Sequence, residues 1–524
     1  MGPIDLLESE RLQQQERLDS VKSQAERNRL GQFATPTSLA VQILECAKSL
    51  LPPRCKVRFL DPALGTGAFY SALLKVFTSG RVASALGYEI DRHYGEEAAR
   101  LWRHTGLTVR IADFTEAAPP PNQDEKPNLI VCNPPYVRHH HLSSACKRRL
   151  QQRTLEVSGA ALNGLAGLYC HFLCLSHAWL APKGIGGWLI PSEFMDVNYG
   201  RALKQYLLER VTLLRIHRFD PNEVQFGDAL VSSAVVWLRH EPPSPGHRIE
   251  FTYGGSLSHP KAVSHVSADA LQQESKWSRF PLARERTAAA RMGPMLSDLF
   301  AIKRGLATGA NGFFILSAEK ARANAIPREF LTPILPSPRH LPVDRVQGDA
   351  AGRPVIDQPL FLLSCDLPEE KVKLRFPALW RYLERGRAEG VEKGYICRHR
   401  SPWYTQEERP PAPFLCTYMG RQGKRGSPFR FILNQSKATA ANVYLLLYPR
   451  PALRKALAED PELAERIWQA LQRIPAEALT GEGRVYGGGL HKMEPNELAK
   501  APAHGVFALL RGTIAELARQ GSLF

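Results

Sequence analysis

Between residues 6 and 30 the apolar positions Leu6, Leu7, Leu12, Leu18, Val21 and Leu30 recur at roughly helical spacing among Glu, Gln and Arg, which are good helix formers. This pattern predicts a solvated helical arm over 1–30 that braces the N-terminus without chemistry. Beyond it, short β-branched or apolar runs alternate with helical patterns, at 57–60, 85–88, 108–112, 129–132, 187–190, 213–217 and 230–238. Strands that alternate with helices are buried on both faces and joined by crossovers, so the pattern predicts an α/β fold with a doubly wound, mostly parallel seven-stranded sheet. The last two runs are separated by 221–228, which leaves no room for a helix, so they are expected to pair antiparallel.

The segment Glu241-Pro242-Pro243-Ser244-Pro245-Gly246 reads as a linker and ends the alternation. It places a catalytic domain at 31–243, a connecting segment at 244–290 and a mixed α+β domain at 291–524. That last domain is rich in Pro, Gly and Arg, with short strands near 429–433 and 443–447 and helices near 451–473 and 506–519. No internal repeat is visible.

Composition narrows the class. The 524 residues carry 68 Lys plus Arg against 51 Asp plus Glu, a formal net charge of +17. Such a surplus points to a polyanionic partner, nucleic acid foremost, where it is not simply a solubilising surface. The nine cysteines form no CxxC pair, and a chain of this size needs no disulfide framework, so a reducing cytoplasm is expected. No stretch approaches the roughly 18 uninterrupted apolar residues of a membrane span, and no signal core opens the chain.

Chemistry gathers at the predicted strand ends. Asp61-Pro62-Ala63-Leu64-Gly65-Thr66-Gly67 follows the first strand and precedes a helix, where closely spaced glycines let a cofactor approach the backbone. The third glycine of a dinucleotide fingerprint is absent. Glu89 ends the second strand, where a carboxylate can accept from both hydroxyls of a ribose; turn and acid together read as a nucleoside site. Asp113 ends the third strand, placed either to accept from an adenine amino group with Phe114 against the ring, or to cap the next helix.

The fourth strand runs directly into Asn133-Pro134-Pro135-Tyr136. An amino group conjugated to an aromatic ring is a poor nucleophile, and two hydrogen-bond acceptors help it become tetrahedral. Asn133 supplies a side-chain carbonyl and Pro134 a backbone carbonyl, while the fixed φ of both prolines holds the acceptors in place. Tyr136 offers a face on which a base can stack. This chemistry suits methyl transfer to any planar amino group, whether glutamine, guanine, cytosine or adenine.

In order along the chain, Gly31-Gln32-Phe33-Ala34-Thr35-Pro36, the 61–67 turn, Glu89, Asp113-Phe114 and Asn133-Pro134-Pro135-Tyr136 resemble the gamma-type N6-adenine DNA methyltransferases of restriction-modification systems. The likeness covers about residues 25–240, including Leu168-Tyr169, Phe172 and Leu180-Ala181-Pro182-Lys183-Gly184. It implies a class I, Rossmann-like fold, S-adenosylmethionine as cofactor, and extrusion of the target adenine from double-stranded DNA. It also implies cofactor contacts from Thr35, Pro36, Asp61, Ala63, Gly65, Gly67, Glu89, Ile90, Asp113, Phe114 and Asn133. Asn133, Pro134, Pro135 and Tyr136 would be catalytic, with Trp237 or its rival Phe226 as a second stacking aromatic unless Trp237 is core. A cognate restriction endonuclease would act separately.

The C-terminal half resembles the recognition domains of the same group more loosely, at 305–311 and 487–495. Candidate DNA contacts are Arg138, His140, Arg398, Arg400, Arg421 and Lys424, drawn from basic stretches interleaved with aromatics. The run His139-His140-His141 lacks a carboxylate or cysteine at ligand spacing, so no metal is expected. Ribosomal RNA, protein glutamine and a fused endonuclease remain as alternative substrates or activities. The long segment after the catalytic domain favours DNA.

Overall fold

The computed structural model describes residues 2–220, 232–281, 293–422, 426–486 and 489–510. The chain divides into two units, residues 1–285 with 486–488 and residues 286–485 with 489–524.

In the first unit, alternating side chains divide the strands between two cores. The strands are β1 (Val57–Asp61), β2 (Val82–Glu89), β3 (Leu107–Ile111), β4 (Leu129–Cys132), β5 (Ile185–Pro191), β6 (Thr212–Arg218), β7 (Ser233–Arg239), β8 (Arg248–Gly255) and β9 (Pro260–Ser267). They form one sheet in the order β3-β2-β1-β4-β5-β7-β6-β8-β9. The first five strands pair in parallel, and β7 runs antiparallel to both β5 and β6. Strand β4 sends Leu129 and Val131 to one core and Ile130 and Cys132 to the other; β7 divides Val235 and Trp237 from Val236 and Leu238 in the same way.

Helices cover both faces. On the first lie α3 (Thr37–Leu50), α4 (Ala68–Val76) and α5 (Arg92–Leu101); on the second lie α6 (Ser144–Ser158), α7 (Leu168–Leu175) and α8 (Arg201–Glu209). Helix α3 buries Leu39, Ala40, Ile43, Leu44 and Ala47, the stripe that a 3.6-residue period puts on one face.

Two expectations change. The sheet has nine strands because the expected connecting segment supplies β8 and β9: β8 pairs in parallel with β6, β9 antiparallel with β8, and Ile249, Phe251 and Val266 are buried. The N-terminal arm forms as helices α1 (Pro3–Ser20) and α2 (Gln24–Leu30), but α1 buries Glu8, Arg11, Gln14 and Leu18 and is no solvated brace. Its inward stripe is mostly polar, and a reading based on apolar spacing passes over such a seam.

The second unit carries five-, four- and three-stranded sheets. Strands near the expected positions form at Phe431–Asn434 and Tyr444–Pro449. The helix expected over 451–473 is two helices, Pro451–Glu459 and Leu463–Gln472, because Pro461 lacks an amide hydrogen and restricts Asp460 before it. Near the end, His504–Leu509 is helical, and residues beyond 510 lie outside the described set.

Strand β5 has little room for change where it faces Trp237, which is fully buried. A Cβ on Gly187 would stand 2.2 Å from Trp237 Cζ3. Gly187→Ala is therefore expected to destabilise the first unit by about 1–3 kcal/mol, seen as a lower urea midpoint with an unchanged m value.

Candidate active site

Because β3, β2, β1 and β4 are adjacent parallel strands, their carboxyl ends share one edge of the sheet, where open α/β sheets form their crevice. The 61–67 turn leaves β1 with Gly65 at φ 55° and Gly67 at φ 91°. Gly67 is required by close packing: a Cβ there would lie 2.5 Å from Trp102 Nε1, which donates to the Thr66 carbonyl at 2.9 Å. Gly65 differs, since a Cβ would meet nothing within 4 Å and the turn is open on that side.

Glu89 binds the turn to β2. Its carboxylate accepts from Gly65 N at 2.9 Å and from Asp91 N at 2.8 Å, and burial pushes its pKa up. Asp61 is buried beneath the same turn and accepts from Ala63 N at 3.1 Å. Burial raises its carboxyl to about 7, and the neighbouring Glu89 charge adds to the rise.

At the end of β3, Asp113 accepts from the backbone N and Oγ1 of Thr115 at 2.8 and 2.7 Å, with Arg149 3.5 Å away. Asp113 thus closes a turn onto Thr115, and since the next helical element starts only at Gln123, the helix cap weighed from sequence does not form. Phe114 is only 2% exposed and packs among Tyr88, Phe172 and Trp179, whereas Ile90 is 67% exposed. The open apolar surface beside Glu89 is therefore that of Ile90 and not of Phe114.

Asn133 stands at the end of β4. Its Nδ2 donates to the Phe33 carbonyl at 3.0 Å and to Thr35 Oγ1 at 3.1 Å. A backbone carbonyl only accepts, so the amide orientation is fixed. Its Oδ1 is buried and meets no donor among the described residues. No donor among the described residues reaches the Pro134 carbonyl either. Tyr136 is 8% exposed, its hydroxyl donates to the Leu189 carbonyl at 3.1 Å, and its ring lies 5.7 Å from that of Phe33. Gly31, at φ 66°, lies against this loop: Tyr136 N donates to its carbonyl at 3.3 Å, and a Cβ would stand 2.3 Å from that nitrogen. The 31–36 segment thus braces the tetrapeptide directly, with Thr35 buried beside Asn133 and Pro36 immediately before α3.

The remaining candidates separate. Trp237 is core, in the cluster that holds Leu189 and Val235, and offers no face for stacking. Phe226 and Lys424 lie outside the described residues. Arg138 and His140 are exposed on the turn after the tetrapeptide. Partial desolvation and neighbouring positive charges, His141 first among them, hold the His140 pKa below its ordinary value. Arg400 is occupied: it donates to the Thr308 and Ala307 carbonyls at 3.0 and 2.8 Å and to Gln406 at 3.1 Å, bracing the 305–311 loop. Arg398 and Arg421 are exposed, and Arg398 lies 5.2 Å from the exposed Tyr395 ring. Sequence reasoning assigned no role to Glu8, Arg11, Lys22, Gln32, Thr37 and Asp91, which tie the 61–67 turn, the loop after Glu89 and the 31–37 segment together. For Glu8 and Arg11 the only signal is the three-residue spacing of polar residues on α1, and Lys22, Gln32, Thr37 and Asp91, outside that helix, carry none.

Residues 274–520 match the family model described as the C-terminal domain of Type II methyltransferase M.Eco57I, and residues 89–225 match that of the Eco57I restriction-modification methylase. The chain is 28% identical over 452 residues to Type II methyltransferase M.XamI of Xanthomonas campestris pv. amaranthicola, covering 84% of this chain and 80% of that protein. It is 25% identical over 490 residues to Type II methyltransferase M.AccI of Acinetobacter calcoaceticus, covering 90% and 85%. Among solved structures, the Type IIL restriction-modification enzyme MmeI, in complex with DNA, shares the fold with a TM-score of 0.55 at 13% identity, over 98% of this chain and 80% of that one.

Asp61 makes stability depend on pH. From the ordinary 3.8 up to about 7 the folded chain keeps a proton that the unfolded chain releases, so this group's contribution falls as pH rises through that window. Asp61→Asn keeps an acceptor for Ala63 N without the charge. The variant is expected to gain melting temperature relative to the parent between about pH 4 and about pH 8. Scanning calorimetry measures the difference, and a constant offset would contradict the assignment.

Proposed function

We propose that this chain, a homologue of the Type II restriction-modification DNA methyltransferases, transfers a methyl group from S-adenosylmethionine to N6 of an adenine extruded from double-stranded DNA. The observation that carries this reading is the Oδ1 of Asn133, buried and without a donor among the described residues while its own Nδ2 is fully engaged. A buried acceptor left open at the end of a parallel strand suits a substrate that brings its own N–H, and the Pro134 carbonyl beside it suits the second hydrogen of an amino group.

The residues present also fit the cofactor. The open side of Gly65 admits a ligand to the backbone, Glu89 is an acceptor for ribose hydroxyls, and Ile90 offers exposed apolar surface for a purine. Thr35 and Pro36 lie on the segment that holds Asn133 and suit the methionine end. When bound, S-adenosylmethionine supplies a methyl group already activated on sulfur. Asn133 Oδ1 and the Pro134 carbonyl accept from the target amino group and draw it toward tetrahedral geometry. Pro134 and Pro135 keep that loop stiff. Tyr136, held by its hydroxyl bond to Leu189, is the stacking partner for the base. The proton displaced from the methylated amino group passes to water.

The second unit is then the target-recognition domain, with Arg398 and Arg421 as exposed DNA contacts and Arg138 reaching phosphate beside the tetrapeptide. The cellular role is modification of host DNA in the cytoplasm, with a separate cognate endonuclease. Among the described residues no helix is long and apolar enough to cross a membrane.

Labelled-methyl transfer to genomic DNA, followed by nucleoside analysis and sequencing of modified sites, tests base and context together. Label is expected on adenine N6 within one sequence context; label on cytosine N4 would overturn the adenine assignment alone. Asn133→Ala is expected to lower the single-turnover rate by about a thousandfold while DNA affinity stays unchanged. Parent-like turnover in that variant would overturn the catalytic role.

A further inference from the structure

Helix α1 carries an ion pair that the chemistry above does not use. Arg11 is 1% exposed and Glu8 4%. Arg11 Nε and Nη2 donate to the two carboxylate oxygens of Glu8 at 2.8 and 2.7 Å. The guanidinium then reaches past its partner. Its Nη1 donates to Thr66 Oγ1 at 3.1 Å, inside the 61–67 turn, and Nη2 donates to Thr37 Oγ1 at 3.3 Å, in the first residue of α3. Thr66 Oγ1 donates in turn to Gln15 Oε1 at 2.7 Å, and Thr37 Oγ1 donates to Glu8 Oε1. Both threonine hydroxyls are therefore held as acceptor and donor by residues of one helix.

The same arm grips a third segment. Lys22, just past α1, pairs with Asp91, and Gln32 Nε2 donates to the same carboxylate oxygen at 2.9 Å while Lys22 Nζ donates to Gln32 Oε1 at 3.1 Å. Asp91 directly follows Glu89 and Ile90. The arm thus joins the turn after β1, the acid loop after β2 and the 31–37 segment that orients Asn133.

A buried ion pair is a poor source of stability, because removing two charges from water offsets most of their attraction. Burial pushes the Glu8 carboxyl up, yet Arg11 outweighs this and holds it below the ordinary range, so the pair is charged at neutral pH. What the pair supplies is direction: a planar fork whose donors point along fixed lines to Glu8, Thr66 and Thr37.

We propose that Arg11 is a positioning residue for the cofactor, holding the 61–67 turn and the 31–37 segment at the separation at which both reach S-adenosylmethionine, so that cofactor affinity depends on the docked α1. This inference rests on reading the site as one for S-adenosylmethionine.

The test is calorimetric titration of the DNA-free, full-length protein with S-adenosylmethionine. In the double variant Glu8→Leu with Arg11→Met, apolar groups replace the pair without leaving a lone buried charge, so the unliganded melting temperature is expected to stay close to that of the parent. Cofactor affinity is expected to fall about tenfold while DNA affinity is unchanged. Thr66→Val should weaken binding similarly, and adding it to the double variant should bring little further loss, because both remove one connection. Arg17→Gln on the same helix, which breaks only the more exposed pair with Glu97, should leave affinity unchanged. If the double variant does not fold, Arg11→Lys keeps a charge for Glu8 but not the fork, and the same loss is expected. Parent-like affinity in the folded variant overturns the positioning role, even if melting falls. A parent chain that binds no S-adenosylmethionine overturns the cofactor reading, and this inference with it.

Discussion

The Asn133 carboxamide faces only one way, and much of the first unit serves to keep it so. Its nitrogen lies between a backbone carbonyl of Phe33 and the hydroxyl of Thr35, and the carbonyl leaves no choice of orientation. The oxygen is therefore held buried without a donor among the described residues, a condition that is unfavourable by about 1–3 kcal/mol. The fold sustains it through the partners of Asn133, which lie on a segment anchored by Gly31 against the tetrapeptide backbone and by Thr37 against α1. An acceptor left open in this way is already arranged before any substrate arrives.

Rigidity behind that acceptor comes from burial on both faces of the sheet. Strands β4 and β7 contribute alternate residues to two separate cores, so neither strand can slip by one residue without exchanging its whole apolar set. Trp237 fills the space above Gly187 on the central strand β5. It belongs to the support under the site. The turn, the acid and the tetrapeptide then project from strand ends whose spacing is fixed by the hydrogen-bonded sheet.

How much of this was legible depends on the kind of signal. The sheet could be read because parallel strands are continuous apolar runs and their helices show a 3.6-residue stripe. The tetrapeptide, Glu89 and the glycine turn could be read because their residue types are restrictive and each follows such a run. Arg11 could not, since its partners are Thr66 and Thr37, separated from it by 55 and 26 residues, and a charged residue on a short-period helix looks solvated. Arg400 and Trp237 resist reading for a related reason. Basic and aromatic side chains have both surface and structural uses, and only the carbonyls facing Arg400 and the glycine facing Trp237 decide between them. The strands β8 and β9 were hidden behind a proline-rich turn that resembles a domain linker.

The bond from Asn133 to the Phe33 carbonyl spans 100 positions of sequence, and the tie from Tyr136 to Leu189 spans 53 more. Contacts of such separation form after local ones, because a long loop must first be closed. On the ribosome, a chain that has emerged only as far as Asp113 carries the glycine turn and Glu89 as well, but nothing yet to capture residues 33–35. The nascent protein therefore has the strand-end turn and acid before it has an oriented Asn133 carboxamide. The carboxamide is oriented only when the middle of the domain closes onto its beginning.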